Sequence, residues 1–263
     1  MPMSAEIGII GGTGVYDVKL LKNTKEIRMR TPYGSPSDSI TLGDLKGRRV
    51  AFLPRHGKKH TIRPTDVNSR ANIFALKKLG VQWTLAPATV GSLREEFKPG
   101  DVVFVDQFID RTTRREQSFY TKKQVCHISV ADPFCPELRQ VLIEAAKAVG
   151  ISTHNTGTYV CIEGPRFSTK AESKMHKMWG ADVVGMTLVP ECVLAREAEI
   201  CYAAIATVTD YDVWKDKPVC VEDIVKIVKG NVEKVKKIIV EAIPRIPKER
   251  RCECKTALKS ALV

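Results

Sequence analysis

The chain lacks any apolar run long enough to cross a bilayer. Its longest candidate, Ile200 to Val208, falls far short of the ~18 residues required. The opening segment, Met1-Pro2-Met3-Ser4-Ala5-Glu6, lacks the basic and apolar regions of a secretory leader, so the cytoplasm is the expected compartment. Repeats, low-complexity tracts and linker-like stretches are absent too. A single domain over 1–263 is therefore expected, with a C-terminal helix and a Cys-x-Cys tail from about 221. Aromatic residues are few, at 6%, and none interleave with the basic ones to form a base-stacking platform. The net charge of +12 is scattered, and its densest cluster, Lys234-Val235-Lys236-Lys237, falls on a segment with helical apolar spacing. That pattern reads as a solvated helix face, so nucleic acid is not an expected partner. An enzyme for anionic substrates could focus the same charge in one cleft.

Cysteine is plentiful, with eight residues, but Cys-x-x-Cys and zinc-ribbon spacings are missing. No metal is therefore expected. Cys161 and Cys201 sit in apolar segments and read as buried thiols. Cys252-Glu253-Cys254 follows the charged stretch Lys248-Glu249-Arg250-Arg251, where exposure is expected. Such a pair suits a redox couple, half a metal site, or a structural disulfide in a heat-adapted host.

An apolar content of 43% supports a folded core, and its pattern alternates between strand and helix. Ile7-Gly8-Ile9-Ile10, Arg49 to Leu53, Val81 to Ala86, Val102 to Val105, Thr158 to Ile162, Ala181 to Met186 and Cys201 to Val208 read as strands. Val67 to Leu79, Pro136 to Val149, Val189 to Ile200 and Val221 to Ile243 read as helices, and Thr169-x-x-Glu172 is a capping box opening another. The last long helix is expected to stop at Pro244. This order predicts an α/β fold with a central mixed, mainly parallel twisted sheet flanked by helices. Ligands of such sheets bind beyond the carboxyl ends of the strands.

The unusual residues cluster at those ends. Gly11-Gly12-Thr13-Gly14 lets backbone N–H groups approach an anion, but Asp17 stands where a dinucleotide fingerprint needs glycine, and no Walker lysine follows. Arg55-His56 offers a donor fork suited to phosphate, with His56 as a further donor. Phe167 could stack on a planar base and Ser168 could hydrogen-bond it. Met186-Thr187 ends another strand. Asp210 and Asp212 end an almost wholly apolar one, where partial burial would raise a carboxyl toward proton donation near neutrality.

Taken in order, these blocks resemble the trimeric purine nucleoside phosphorylase family, and within it the branch acting on 5′-methylthioadenosine. The resemblance spans Ile7 to about Val240 and includes Thr31-Pro32-Tyr33-Gly34, Arg55-His56-Gly57, Gly91-Ser92-Leu93-Arg94, Asp106 to Thr112, Glu163 to Ser168, Met186 to Glu191 and Thr209 to Asp212. It implies phosphate held by Thr13, Arg55, His56, Thr187 and the Ala88-Thr89 backbone, the latter pair in the reverse of the family's order. It implies that Phe167 and Met186 flank purine and ribose. Ser168, Asp210 and Asp212 would read the base, with Asp210 as the catalytic proton donor. Val221 and Ile224 would shape a 5′-methylthio pocket closed by His127 of a neighbouring subunit, in a trimer or a dimer of trimers. The implied reaction splits 5′-methylthioadenosine with inorganic phosphate, a co-substrate, and needs no cofactor. A sibling activity on 6-oxopurine nucleosides or methylthioinosine is the alternative. Resemblance to heat-adapted archaeal members further implies disulfides Cys252–Cys254 and Cys135–Cys201.

Overall fold

The computed structural model describes residues 4–12, 20–121, 124–215 and 221–263, with backbone alone over 221–225. Thr13 lies outside the described residues. An eleven-stranded mixed sheet is organised around β5 (Trp83–Ser92). One edge of β5 pairs in parallel with β11 (Cys201–Asp210), from Cys201 opposite Trp83 to Val208 opposite Val90. Its other edge pairs twice. Trp83 to Leu85 lie parallel to β1 (Ile7–Gly11), and Gly91 and Ser92 lie antiparallel to β10 (Val183–Gly185).

Between these two pairings the sheet forks, and among the described residues no strand pairs with residues 86–90 of β5 on that edge. The fork explains Pro87, a residue that removes a ladder donor and is otherwise excluded from central strands. One branch continues from β1 to β4 (Arg48–Pro54) in parallel, then antiparallel to β3 (Ile40–Leu45) and β2 (Lys22–Ile27). The other runs in parallel from β10 through β9 (Thr158–Ile162) to β7 (Gln107–Arg111). Beyond β11 lie the short β6 (Val102–Val103) and β8 (Thr153–His154).

Both faces of the centre are covered. Along β11, Tyr202, Ala204, Ala206 and Val208 join one apolar core while Cys201, Ala203 and Ile205 join the other. This period of two explains why the strand reads as continuously apolar. Helices α1 (Ser69–Lys78) and α4 (Leu188–Glu197) pack together over the first core. Helices α2 (Pro136–Ala148) and α5 (Val221–Arg245) pack together over the second. Helix α3 (Lys170–Met178) carries the expected capping box, with Thr169 and Glu172 bonding reciprocally.

Several expectations are corrected. Helix α1 starts at Ser69 rather than Val67, because Asn68 accepts a hydrogen bond from Ala71 N and caps it. Helix α4 ends at Glu197, and α5 continues through Pro244 to Arg245. The strands β2, β7 and β8 carry polar or short patterns that gave no strand signal, and β3, with Ile40 and Leu42 on alternate positions, is a further strand beyond those expected. The Cys-x-Cys tail is not exposed: Cys254 is buried in the second core and Cys252 is half-buried. The tail folds back onto Cys135 and Cys201, so four sulfurs from distant segments form a cluster with metal-ligand spacing. In this structure all four cysteines are free thiols.

Candidate active site

The strand ends converge on one cavity of about 850 Å³. β4 delivers Arg55 and His56, the forked edge of β5 delivers Pro87 to Gly91, and the loop after β9 delivers Phe167. Met186 and Thr187 follow β10, and Asp210 and Asp212 come from the end of β11. Helix α5 closes the opposite wall through Val228, Asn231 and Val232. Arg55, His56, Ala88, Thr89, Phe167, Met186, Thr187, Asp210 and Asp212 thus share one space.

Arg55 is buried, at 1% exposure. Its Nε and Nη2 donate to the two carboxylate oxygens of Glu191 at 2.6 and 3.0 Å, and its Nη1 donates to Pro87 O at 2.8 Å. Tyr202 Oη donates to Glu191 Oε2 at 2.8 Å. Burial alone would favour loss of the guanidinium's proton, but the Glu191 carboxylate outweighs it and holds Arg55 above its ordinary pKa. The guanidinium is thereby fixed as a permanent cation at the cavity floor.

His56 behaves differently from the expected donor. Burial, reinforced by the Arg55 charge, lowers its pKa to about 4. The ring is therefore neutral at pH 7. Its Nδ1 lies 2.9 Å from Ile62 O, which can only accept, so Nδ1 carries the proton. Nε2 is left as an acceptor. Thr187 Oγ1 is buried without a hydrogen-bond partner just before α4. A cation, an acceptor and a free hydroxyl suit an anion that still carries a proton.

At the other end stand two carboxyl groups. Asp210 Oδ1 accepts from Asp212 N at 2.8 Å, and its Oδ2 accepts from Thr209 Oγ1 at 2.7 Å. Burial raises its pKa against these hydrogen bonds. Burial also raises Asp212, although the hydroxyls of Ser173 and Ser168 stand near enough to oppose the rise. Neither hydroxyl makes a direct hydrogen bond, and Asp212 Oδ2 is likewise buried without a partner. Ser168 is itself buried, while Phe167 is half exposed.

Among the described residues, the expected His127 and Ser168 do not line this cavity. His127 is exposed, and its N–H donates to Ala261 O at 2.7 Å, away from the cavity of its own chain. Val221 and Ile224 begin α5, whose later turns line the cavity, and their side chains lie outside the described atoms. Two bracing groups escaped the sequence reading. Glu191 is a lone carboxylate in the apolar run Leu188 to Ala195, a pattern that demands a buried cation. Arg115 donates to Met186 O and Val189 O, both at 2.7 Å, and pairs with Glu163 at 3.0 Å, fixing the segment that bears Met186.

Strand ends around a forked α/β sheet, holding an anion cradle at one side and two buried carboxyls at the other, define a class of enzyme that joins an anion to a bound organic group. The model of the phosphorylase superfamily matches residues 6–244, and the chain belongs to that superfamily. It is 57% identical over 261 residues to the S-methyl-5′-thioadenosine phosphorylase of Nitrosopumilus maritimus, covering 99% of each chain. Among solved structures it superposes with a TM-score of 0.95 on a methylthioadenosine phosphorylase from an Antarctic soil metagenomic library. That pair is 45% identical, covering 99% of this chain and 93% of that one. The methylthioadenosine phosphorylase of Schistosoma mansoni in complex with adenine gives a TM-score of 0.92 and 42% identity, covering 98% and 97%.

Two outcomes follow from this geometry. Glu191→Gln keeps the volume but leaves Arg55 facing a neutral amide. Breaking a buried pair in this way should cost about 3–5 kcal/mol in urea unfolding and weaken inorganic phosphate binding, read by calorimetry, by tenfold or more. Unchanged phosphate affinity would remove Glu191 from that role. In NMR titration the His56 ring should stay neutral from pH 8 down to pH 5, with its midpoint near 4. A midpoint near 6.5 would contradict the acceptor assignment.

Proposed function

We propose that the protein catalyses phosphorolysis of 5′-methylthioadenosine to adenine and 5-methylthioribose 1-phosphate. The observation that carries this reading is the pairing of a proton-tolerant anion cradle with two carboxyls across one cavity. Phosphate is placed on Arg55, His56, Thr187 and the free backbone edge at Ala88-Thr89, with Thr13 completing the cradle. Its attacking oxygen forms a bond to ribosyl C1′ as the bond to base nitrogen N9 breaks, and the electron pair passes into the purine. Asp210, whose pKa burial raises, gives a proton to N7 of the leaving base. His56 Nε2 accepts a hydrogen bond from the phosphate hydroxyl; the ester sheds that proton to solvent, and the Asp210 carboxylate takes one back from solvent once the base has left. The proton count therefore closes without a cofactor. Fixed donors supply alignment rather than covalent chemistry.

Asp212 has an unpartnered oxygen beside Ser168. An ionised Asp212 accepts the 6-amino group of adenine and repels a 6-oxo group, which disfavours the 6-oxopurine alternative. Phe167 covers the base and Met186 the ribose. An exposed His127, far from its own cavity, fits a cyclic trimer, alone or doubled, in which it closes a neighbour's 5′ pocket beside Val221 and Ile224. The described helices include none long and apolar enough to cross a membrane, in keeping with a soluble metabolic enzyme.

Steady-state rates with 5′-methylthioadenosine, adenosine and inosine, with and without phosphate, test the reading. Adenine release should require phosphate, and inosine should be the poorest substrate. Asp212→Asn should move the ratio of kcat/KM values toward inosine by about tenfold or more, equivalent to ~1.4 kcal/mol. A parent enzyme preferring inosine would sink the adenine assignment. Asp210→Asn retains a hydrogen bond but no transferable proton, and should lower kcat by about 10²–10⁴ with the fold intact by circular dichroism. In the parent, kcat should decline as pH rises through the elevated Asp210 pKa, because the donor is active only when protonated. A variant with parental kcat would exclude Asp210 as the donor.

A further inference from the structure

We propose that Cys135, Cys201, Cys252 and Cys254 form a structural tetrathiolate site for one zinc ion. The four sulfurs lie within 4.8 Å of one another. Cys252 Sγ stands 3.3 Å from Cys201 Sγ and 3.6 Å from Cys135 Sγ. Zinc–sulfur bonds of about 2.3 Å in a tetrahedron place sulfurs ~3.8 Å apart. Disulfide sulfurs stand at about 2.05 Å. Each of the four sulfurs approaches the other three, instead of the residues dividing into pairs.

The chain origins suit a staple. Cys135 caps the N-terminus of α2, Cys201 opens β11, and the other two come from the tail after α5. Three of the four are buried and Cys252 is half-buried, which gives the ion an access route. A donor set of four sulfurs without a carboxylate selects a soft, tetrahedral ion.

Four thiolates and Zn²⁺ carry a net charge of −2, and the surroundings answer it. Leu138 N donates to Cys135 Sγ at 3.5 Å in the first turn of α2, at the positive end of that helix. Arg196 Nη1 donates to Cys254 Sγ at 3.3 Å. Among the described residues Arg196 pairs with no carboxylate, and its Nε is buried without a partner. A half-buried guanidinium aimed at sulfur is unbalanced beside neutral thiols and balanced beside thiolates. Binding releases the thiol protons and leaves every sulfur oxidation state unchanged.

The cluster sits at the start of β11, and Asp210 ends the strand. At ~3.3 Å per residue the two lie roughly 30 Å apart. The ion therefore holds the tail and α2 to the sheet and takes no part in the reaction.

The test uses the full chain, freed of any affinity tag and purified with a thiol-free reductant and no chelator. Elemental analysis should find one zinc per chain, and all four thiols should resist alkylation until the metal is removed. Replacement by Co²⁺ should give the strong sulfur-to-cobalt absorption and ligand-field bands of a tetrahedral thiolate site. Chelation should lower the melting temperature by about 10 °C or more, while kcat at 25 °C stays within twofold of the parent. Cys252→Ser should cut zinc content to under a tenth, and the cobalt spectrum of the parent decides the matter if that variant fails to fold. A freshly isolated chain four hydrogens lighter than the reduced mass would replace the site with two disulfides and overturn the proposal. So would four thiols that alkylate freely after reconstitution with zinc.

Discussion

The ion pair between Arg55 and Glu191 is the constraint on which the site depends. Moving a guanidinium out of water is expensive, and a single carboxylate recovers the cost only when its geometry and remaining hydrogen bonds are complete. Here four elements contribute. Arg55 follows β4, Glu191 lies on α4, Pro87 on β5 and Tyr202 on β11. Each must be in register before the others can be satisfied. An anion cradle built in this way cannot form from a local turn, and it cannot drift once formed. The preorganisation expected of an electrostatic catalyst is thus supplied by folding rather than by the substrate.

The fork in the sheet performs a second task. Where β1 leaves β5 and β10 has not yet joined, Pro87 to Val90 line the cavity on the edge opposite β11. Across from them, the register of β11 shifts between Val208 and Asp210. That bulge turns the strand end, and Asp212 adopts a left-handed backbone at φ +50° that acidic residues tolerate better than most. Gly91 makes room for it: a Cβ there would stand 2.9 Å from Asp210 Oδ1. Two neighbouring carboxyls are thereby placed in unlike surroundings. Asp210 has both oxygens engaged, and Asp212 keeps one free. Burial raises the pKa of both; the donors on Asp210 and the hydroxyls near Asp212 oppose the rise.

Much of the architecture was legible because local signals agreed with the global fold. Thr158 to Ile162 is a strand in sequence and in space, and the Thr169 capping box and the glycine after α2 mark real helix ends. The pairing of β5 was not legible, since Pro87 argued against a continuous central strand. Its tolerance depends on a gap in a neighbour far away in sequence. Arg55, His56, Thr187, Asp210 and Asp212 were visible as polar residues at the ends of apolar strands. Glu191 was visible only as an oddity inside an apolar helix, because its partner lies 136 residues away. The protonation pattern of His56 was misread for a related reason. Its sequence neighbourhood shows an arginine and a turn, but the carbonyl of Ile62 and the depth of burial decide which nitrogen carries hydrogen.

The cysteines carry the same lesson further. Spacing along the chain separates Cys135, Cys201 and the Cys-x-Cys tail, and a charged approach to the tail suggests solvent. The fold brings them to the end of β11 remote from Asp210. The placement is physically reasonable for a strand whose catalytic end carries a bulge, an unfavourable backbone angle and two buried carboxyls. Those features lower stability where they occur, and they persist only if the rest of the structure over-determines them. A strand anchored at its first residue between two apolar cores, with the tail and α2 tied to it, resists the relaxation that would let its last residues leave their strained positions.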